Sequence, residues 1–122
     1  MPPDRVDDRG KGRPAGRPAD YYLVELERGP AWDESRRRRE QAGWHEHAAF
    51  MDVLAEEGFV VLGGPVGDGD GDHVLLVIAA RSEAVIRSRL ADDPWAGTIL
   101  TIASVEAWSV WVRAPAGNRQ RR

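Results

Sequence analysis

The chain of 122 residues has no cysteine and only three histidines, His45, His47 and His73. Without cysteine there are no thiol nucleophiles, no disulfides and no cysteine-containing metal sites, a composition compatible with a reducing cytosol. Long apolar runs are missing as well. Nothing approaches the ~20 apolar residues needed to cross a bilayer, and the opening Met1-Pro2-Pro3-Asp4-Arg5 is too polar for a secretory signal. The expectation is a soluble, cytoplasmic protein without a membrane partner. A surplus of positive charge is also lacking: 17 basic residues against 20 acidic ones give no general attraction to nucleic acid. None of the glycine-rich stretches is followed by the Lys-Ser or Lys-Thr pair of a nucleotide-phosphate loop.

What is present fits one domain with a modest core, since 42% of the residues are hydrophobic. Five tryptophans are many for so short a chain, and large rings need either a deep site or a partner, which points to a homodimer. Residues 1–19 are rich in Pro, Gly, Arg and Asp and contain no hydrophobic run, so they are expected to form a disordered arm. Residues 20–113 form the expected folded domain, and residues 114–122 a flexible tail.

Within the domain, the aromatic and branched residues of Tyr21 to Leu26 predict a strand, punctuated by Gly29-Pro30. Asp33 to Gln41 carries four consecutive arginines, Arg36 to Arg39, which read as a solvated surface or as an anion-attracting rim. From Trp44 the apolar residues recur at helical steps, with Trp44, Phe50, Met51 and Leu54 supplying most of the contact, and Gly58 ends the helix. Phe59 to Leu62 and Val74 to Ala80 read as two strands of a hairpin around a Gly-Asp loop. Ser82 caps a second helix running to about Ala91, with Val85, Ile86 and Leu90 facing inward, and Asp92-Asp93-Pro94 breaks it. Ile99 to Ile102 precedes a last strand expected from about Val105 to Val112. The order strand, helix, strand, strand, helix, strand predicts an α+β, ferredoxin-like βαββαβ sandwich with both helices on one sheet face. Packing the other face against a second subunit would give a dimeric α/β barrel.

The few groups suited to proton chemistry near neutrality can then be placed. His47 lies three residues after Trp44 and four before Met51, at the border of the apolar stripe. An imidazole there is a proton shuttle if a cavity opens beside it, and a packing residue if none does. His45 points elsewhere on the helix, and His73 begins a strand. Asp93 closes the second helix just before Pro94 and Trp95; a carboxylate in that turn either orients an imidazole or lies at the surface. Gly63-Gly64-Pro65 permits a close approach to the backbone or is a simple strand exit. Asp68, Asp70 and Asp72 alternate as in a calcium loop, but Ala79 stands where the twelfth-position acid belongs. With no His-Glu-x-x-His spacing either, neither a metal nor a cofactor is expected.

These stretches together, Gly43-Trp44-His45-Glu46-His47, Glu57-Gly58, Gly63-Gly64-Pro65 and Asp92-Asp93-Pro94-Trp95, resemble the YciI-like (YCII-related) domain family over about Tyr21 to Val112. The resemblance implies a ferredoxin-like fold that dimerises into an α/β barrel, and a His-Asp active site in a cleft. The family's helix histidine falls on His47 and its aspartate on Asp93, with Trp44, Gly64, Pro65 and Trp95 around the substrate and His45 and His73 as surface or supporting positions. On that basis the expected function is a cofactor-independent lyase or isomerase acting on a small organic acid, lactone or substituted phenol. The alternative is a non-catalytic dimer that binds a small ligand in the same cavity.

Overall fold

The computed structural model describes residues 21–115. The arm expected over 1–19, and most of the expected tail, lie outside the described residues. Six regular elements follow one another: β1 (Tyr21–Arg28), α1 (Trp44–Glu56), β2 (Val60–Pro65), β3 (His73–Ala79), α2 (Glu83–Leu90) and β4 (Leu100–Trp108). A single 3₁₀ turn, Arg38–Glu40, lies between β1 and α1. The strands form one sheet in the order β2-β3-β1-β4, every neighbouring pair antiparallel.

Strand alternation sorts the side chains onto two faces. Val24 and Leu26 of β1 and Val74, Leu76 and Ile78 of β3 all point to one side, where they join Leu54 of α1 and Ile86 and Leu90 of α2 in a single core. Both helices therefore cover the same face. On the other face Leu62, Leu75 and Trp108 remain exposed. Helix boundaries follow the local chemistry. The α1 helix ends in a Schellman arrangement: Gly58, at φ +81, donates to the Ala55 carbonyl, and Phe59 donates to that of Leu54. For α2, the Ser82 hydroxyl accepts the Val85 amide at 3.2 Å. No helix among the described residues is long and apolar enough to cross a membrane.

Two expectations need correction. Closure of the βαββαβ sandwich into an α/β barrel is not what forms: the sheet is open, with β2 and β4 as its two edges. These four strands leave both edges unpaired with each other. The element order and the two-layer α+β arrangement stand; the barrel does not. The last strand also begins at Leu100 instead of near Val105 and ends at Trp108. Its register against β1 shifts between Leu26↔Ile102 and Glu25↔Ser104, which leaves Ala103 as an extra residue. That bulge merges what reads as an apolar segment followed by a separate strand.

The end of β1 is fixed to the segment before β4 by Gly29, whose amide donates to the Ile99 carbonyl at 2.8 Å, and by Ala31, which donates to Thr98 at 2.9 Å. A Cβ on Gly29 would collide with the Thr98 carbonyl oxygen, a backbone atom with no rotamer to escape into. Gly29→Ala is thus expected to destabilise the fold by about 1–3 kcal/mol, read as a lowered urea midpoint. An unchanged midpoint would mean the two segments do not approach so closely.

Candidate functional site

The site is assembled where the start of α1 meets the turn after α2. Gly43 precedes α1 in the left-handed region, at φ +81, and a Cβ there would lie 3.2 Å from the Trp95 indole nitrogen. Glycine meets both constraints. The Trp95 Nε1–H donates to the Ala42 carbonyl at 2.7 Å, so the entrance to α1 is tied to the turn that carries Asp93. In that turn the Asp93 amide donates to Leu90 and Asp93 Oδ1 accepts the Trp95 amide at 2.9 Å, with Pro94 between them. This is an Asx turn, and it fixes the direction of the carboxylate.

His47, in the first turns of α1, is buried and places Nδ1 2.9 Å from both carboxylate oxygens of Asp93, 46 positions away. Trp95, only 1% exposed, lies parallel to the imidazole with ring centres 4.1 Å apart and planes 8° from parallel. Trp44 tilts against both rings, at 5.8 Å from His47 and 5.7 Å from Trp95. Rotation of the imidazole is therefore blocked on its Nδ1 edge and on one face.

An ionised carboxylate only accepts hydrogen bonds, so the proton of a neutral His47 belongs on Nδ1 and the lone pair on Nε2. Nε2 has no hydrogen-bond partner among the described residues, and His47 borders a cavity of about 640 Å³ between α1 and the sheet. Trp44, Met51, Gly63, Gly64 and Pro65 are among its walls. That volume lies in the range of small-molecule sites. Asp93 and Trp95 do not line it; they stand behind the imidazole, and Asp93 borders a separate pocket of about 460 Å³ beside α2 and β4. A Cβ on Gly64 would meet nothing within 4 Å, whereas one on Gly63 would press on the Leu76 side chain and the Leu75 carbonyl. The close backbone approach is thus at Gly63. His45 is exposed, and His73 pairs with Glu25 on the far face of the sheet; neither touches the His47–Asp93 pair.

No family model, curated protein or solved structure matches this chain. The expected membership of the YciI-like family is accordingly corrected: nothing found supports it, and the open sheet contradicts the barrel it implied. The pairing of His47 with Asp93 rests on its own geometry.

A second polar cluster borders the same cavity, and the run of four arginines concealed it. Arg38 is 6% exposed, not solvated. Its guanidinium lies over the Trp32 ring at 5.1 Å and donates through Nε to the Gly69 carbonyl at 3.0 Å and through Nη2 to that of Gly71 at 2.6 Å. Arg28 lies over the same ring at 4.6 Å, donates to the Asp70 carbonyl at 2.8 Å and pairs with Asp72 at 3.0 Å. Arg37 donates to Asp70 Oδ2 at 3.1 Å. The Gly-Asp loop between β2 and β3 is therefore clasped by arginines from the end of β1 and from the β1–α1 connection. The one sequence signal of this was Trp32, an aromatic close to a basic run with an acidic loop elsewhere to receive it.

The clasp has a pH signature. The Arg38 amide, and then the Arg37 side chain, hold the Asp70 carboxyl below its ordinary value of 3.8. A depressed folded-state value means that Asp70 contributes stability above its unfolded value and loses it as the pH falls through the lower folded one. The stability difference between the protein and Asp70→Asn, followed by urea unfolding, should be constant at neutral pH and shrink below about pH 4. A difference unchanged into strong acid would rule out the carboxylate as its source.

Proposed function

We propose that the cavity beside His47 is a site of proton transfer on a small organic molecule, with His47 Nε2 as the base and then the acid. The observation that carries this reading is a buried imidazole whose Nδ1 is held by both oxygens of one carboxylate while its Nε2 is uncommitted beside a cavity. In such a step Nε2 takes a proton from an acidic carbon or hydroxyl of the substrate, and Asp93 balances the charge of the imidazolium that forms. Returning the proton to a different atom of the substrate gives an isomerisation; returning it to a departing group gives an elimination. The stack against Trp95 keeps the ring in one orientation through both transfers, which favours a short, repeatable proton path.

The test is a screen of small organic acids, lactones and substituted phenols for binding and for chemical conversion, with His47→Gln as the matched control. Conversion by the wild-type protein that is lost in a folded His47→Gln variant is the expected result. Compounds bound and recovered unchanged would assign the cavity to ligand binding without catalysis. Equal turnover by the variant would remove His47 from the reaction.

A further inference from the structure

We propose that the ligand of this cavity is anchored by a carboxylate group, held at the arginine end by Arg38 and Arg39. The inference deepens the preceding reading and rests on the same cavity being the ligand site.

The buried polar side chains of the domain are Arg38, Gln41, His47 and Asp93. Gln41 and Asp93 are satisfied, and His47 is held through Nδ1 with Nε2 left free. Gln41 accepts the Asp33 amide and donates to the carbonyls of Asp33 and Arg36, and His47 and Asp93 hold each other. Arg38 differs from the other three in holding a fully buried charged donor with no acceptor. Its Nε and Nη2 are committed to Gly69 and Gly71, but Nη1 is buried with no partner. A buried charged donor left unpaired costs more than a neutral one, and such groups are ordinarily matched by an acceptor. Burial, followed by the neighbouring charge of Arg28, presses the Arg38 pKa below its ordinary value, while Asp70 and Asp72 pull it the other way. The carboxylates of the protein leave part of the charge at this point unmatched.

The arginine run divides in a way that locates the unmatched charge. Arg36 pairs with Asp33 and Arg37 with Asp70, both away from the cavity. Arg38 and Arg39 both line it, and neither has a carboxylate partner among the described residues. The Arg39 guanidinium lies over the Trp44 ring at 5.7 Å, and Trp44 in turn touches His47. Cation, aromatic wall and base thus follow one another from the 3₁₀ turn into the first turn of α1. One carboxylate, Asp52, also borders the cavity, and it is exposed. Met51, Val60 and Leu76 supply apolar wall, so the body of the ligand is apolar and compact while one end is an anion. Charge-assisted hydrogen bonds to guanidinium groups suit a carboxylate there.

The test is calorimetric titration of the full chain with benzoate and with benzamide, its neutral match in shape. Benzoate should bind about tenfold more tightly or better, as expected for one charge-assisted contact. Arg39→Gln, at an exposed position, should erase most of that preference while leaving benzamide binding alone. Arg38→Lys should erase it as well if the loop clasp survives, and Arg39→Gln decides the matter if it does not. Equal affinity for the two probes, absence of benzoate binding in the millimolar range, a preference that persists in Arg39→Gln, or inorganic phosphate competing as well as benzoate would each overturn the proposal. The two readings separate cleanly. Turnover lost in His47→Gln while benzoate and benzamide bind alike keeps proton transfer and removes the carboxylate anchor. A benzoate preference lost in Arg39→Gln, with no screened compound converted, keeps the anchor and removes proton transfer.

Discussion

Replacing Trp95 by alanine is expected to cost about 3–5 kcal/mol of unfolding free energy, the range for truncating a large buried aromatic. Stabilities of domains of this size are about 5–15 kcal/mol, so the variant should be partly unfolded at modest urea concentrations. Trp95 is 1% exposed and heads the fully buried side chains by volume, so most of the cost is the cavity left behind. The remainder is specific to this position. The indole ties the turn after α2 to the start of α1 through its bond to Ala42, and its face holds the imidazole. Trp95→Phe separates these contributions. It keeps an aromatic face for His47 and removes the donor to Ala42, whose surroundings are exposed enough for water to replace it, so a loss near 1 kcal/mol is expected. Urea unfolding of both variants gives the comparison. A Trp95→Ala midpoint close to that of Trp95→Phe would mean that the ring's burial is not what holds the two helices' ends together.

The same part of the molecule shows what could be read in the sequence and what could not. Helical spacing placed His47 at the border of the α1 stripe because a helix is a local, periodic object, and its contacts three and four residues away are set by that period. The Asp93-Pro94-Trp95 turn was equally local: proline ends the helix and the aspartate side chain caps the amide two residues on. Their meeting is a different matter. It spans 46 positions and depends on the angle at which α1 and the turn after α2 sit on the sheet. Local pattern names each partner but not the pair, which entered through a family resemblance that no comparison supports. The stack of Trp95 on His47 is of the same kind, since nothing in the spacing sends Trp95 behind the imidazole and not into the cavity wall.

Arg38 fails to read for a related reason. Four arginines in a row look alike, and solvation is the ordinary fate of such a run. One of them is buried because two carbonyls 31 and 33 residues away, on Gly69 and Gly71, take its guanidinium while Trp32 covers a face. The choice among the four is made by the 3₁₀ turn Arg38–Glu40, which aims Arg38 inward and leaves its neighbours outside. The bulge at Ala103 is also a non-local matter, since it depends on the register of β4 against β1. Turn chemistry, periodicity and the two-layer arrangement that follows from the element order were therefore legible, and which side chains of distant segments meet was not.

Asp93→Asn is expected to lower the rate of proton transfer on an identified substrate by about a hundredfold to ten-thousandfold, the range in which a positioned acid-base pair operates. The shape of the side chain is unchanged, so the fold should persist, but the hydrogen bonding is redistributed. Asp93 Oδ1 accepts the Trp95 amide, and this contact holds the turn. The single oxygen of an asparagine serves that amide best, which leaves the new NH₂ group facing His47. An NH₂ group donates, so Nδ1 must become the acceptor and the imidazole proton moves to Nε2. The nitrogen at the cavity then has no lone pair to receive a proton, and the negative charge that balanced the imidazolium is gone as well. A purely structural role for Asp93 predicts none of this. Nitrogen chemical shifts of His47 distinguish the cases: the proton should reside on Nδ1 in the wild-type protein and on Nε2 in the variant, with unfolding midpoints close together. A variant that keeps the proton on Nδ1 and still loses the rate would place the defect in charge alone. One that keeps both tautomer and rate would show that the carboxylate orients His47 for packing and takes no part in moving a proton.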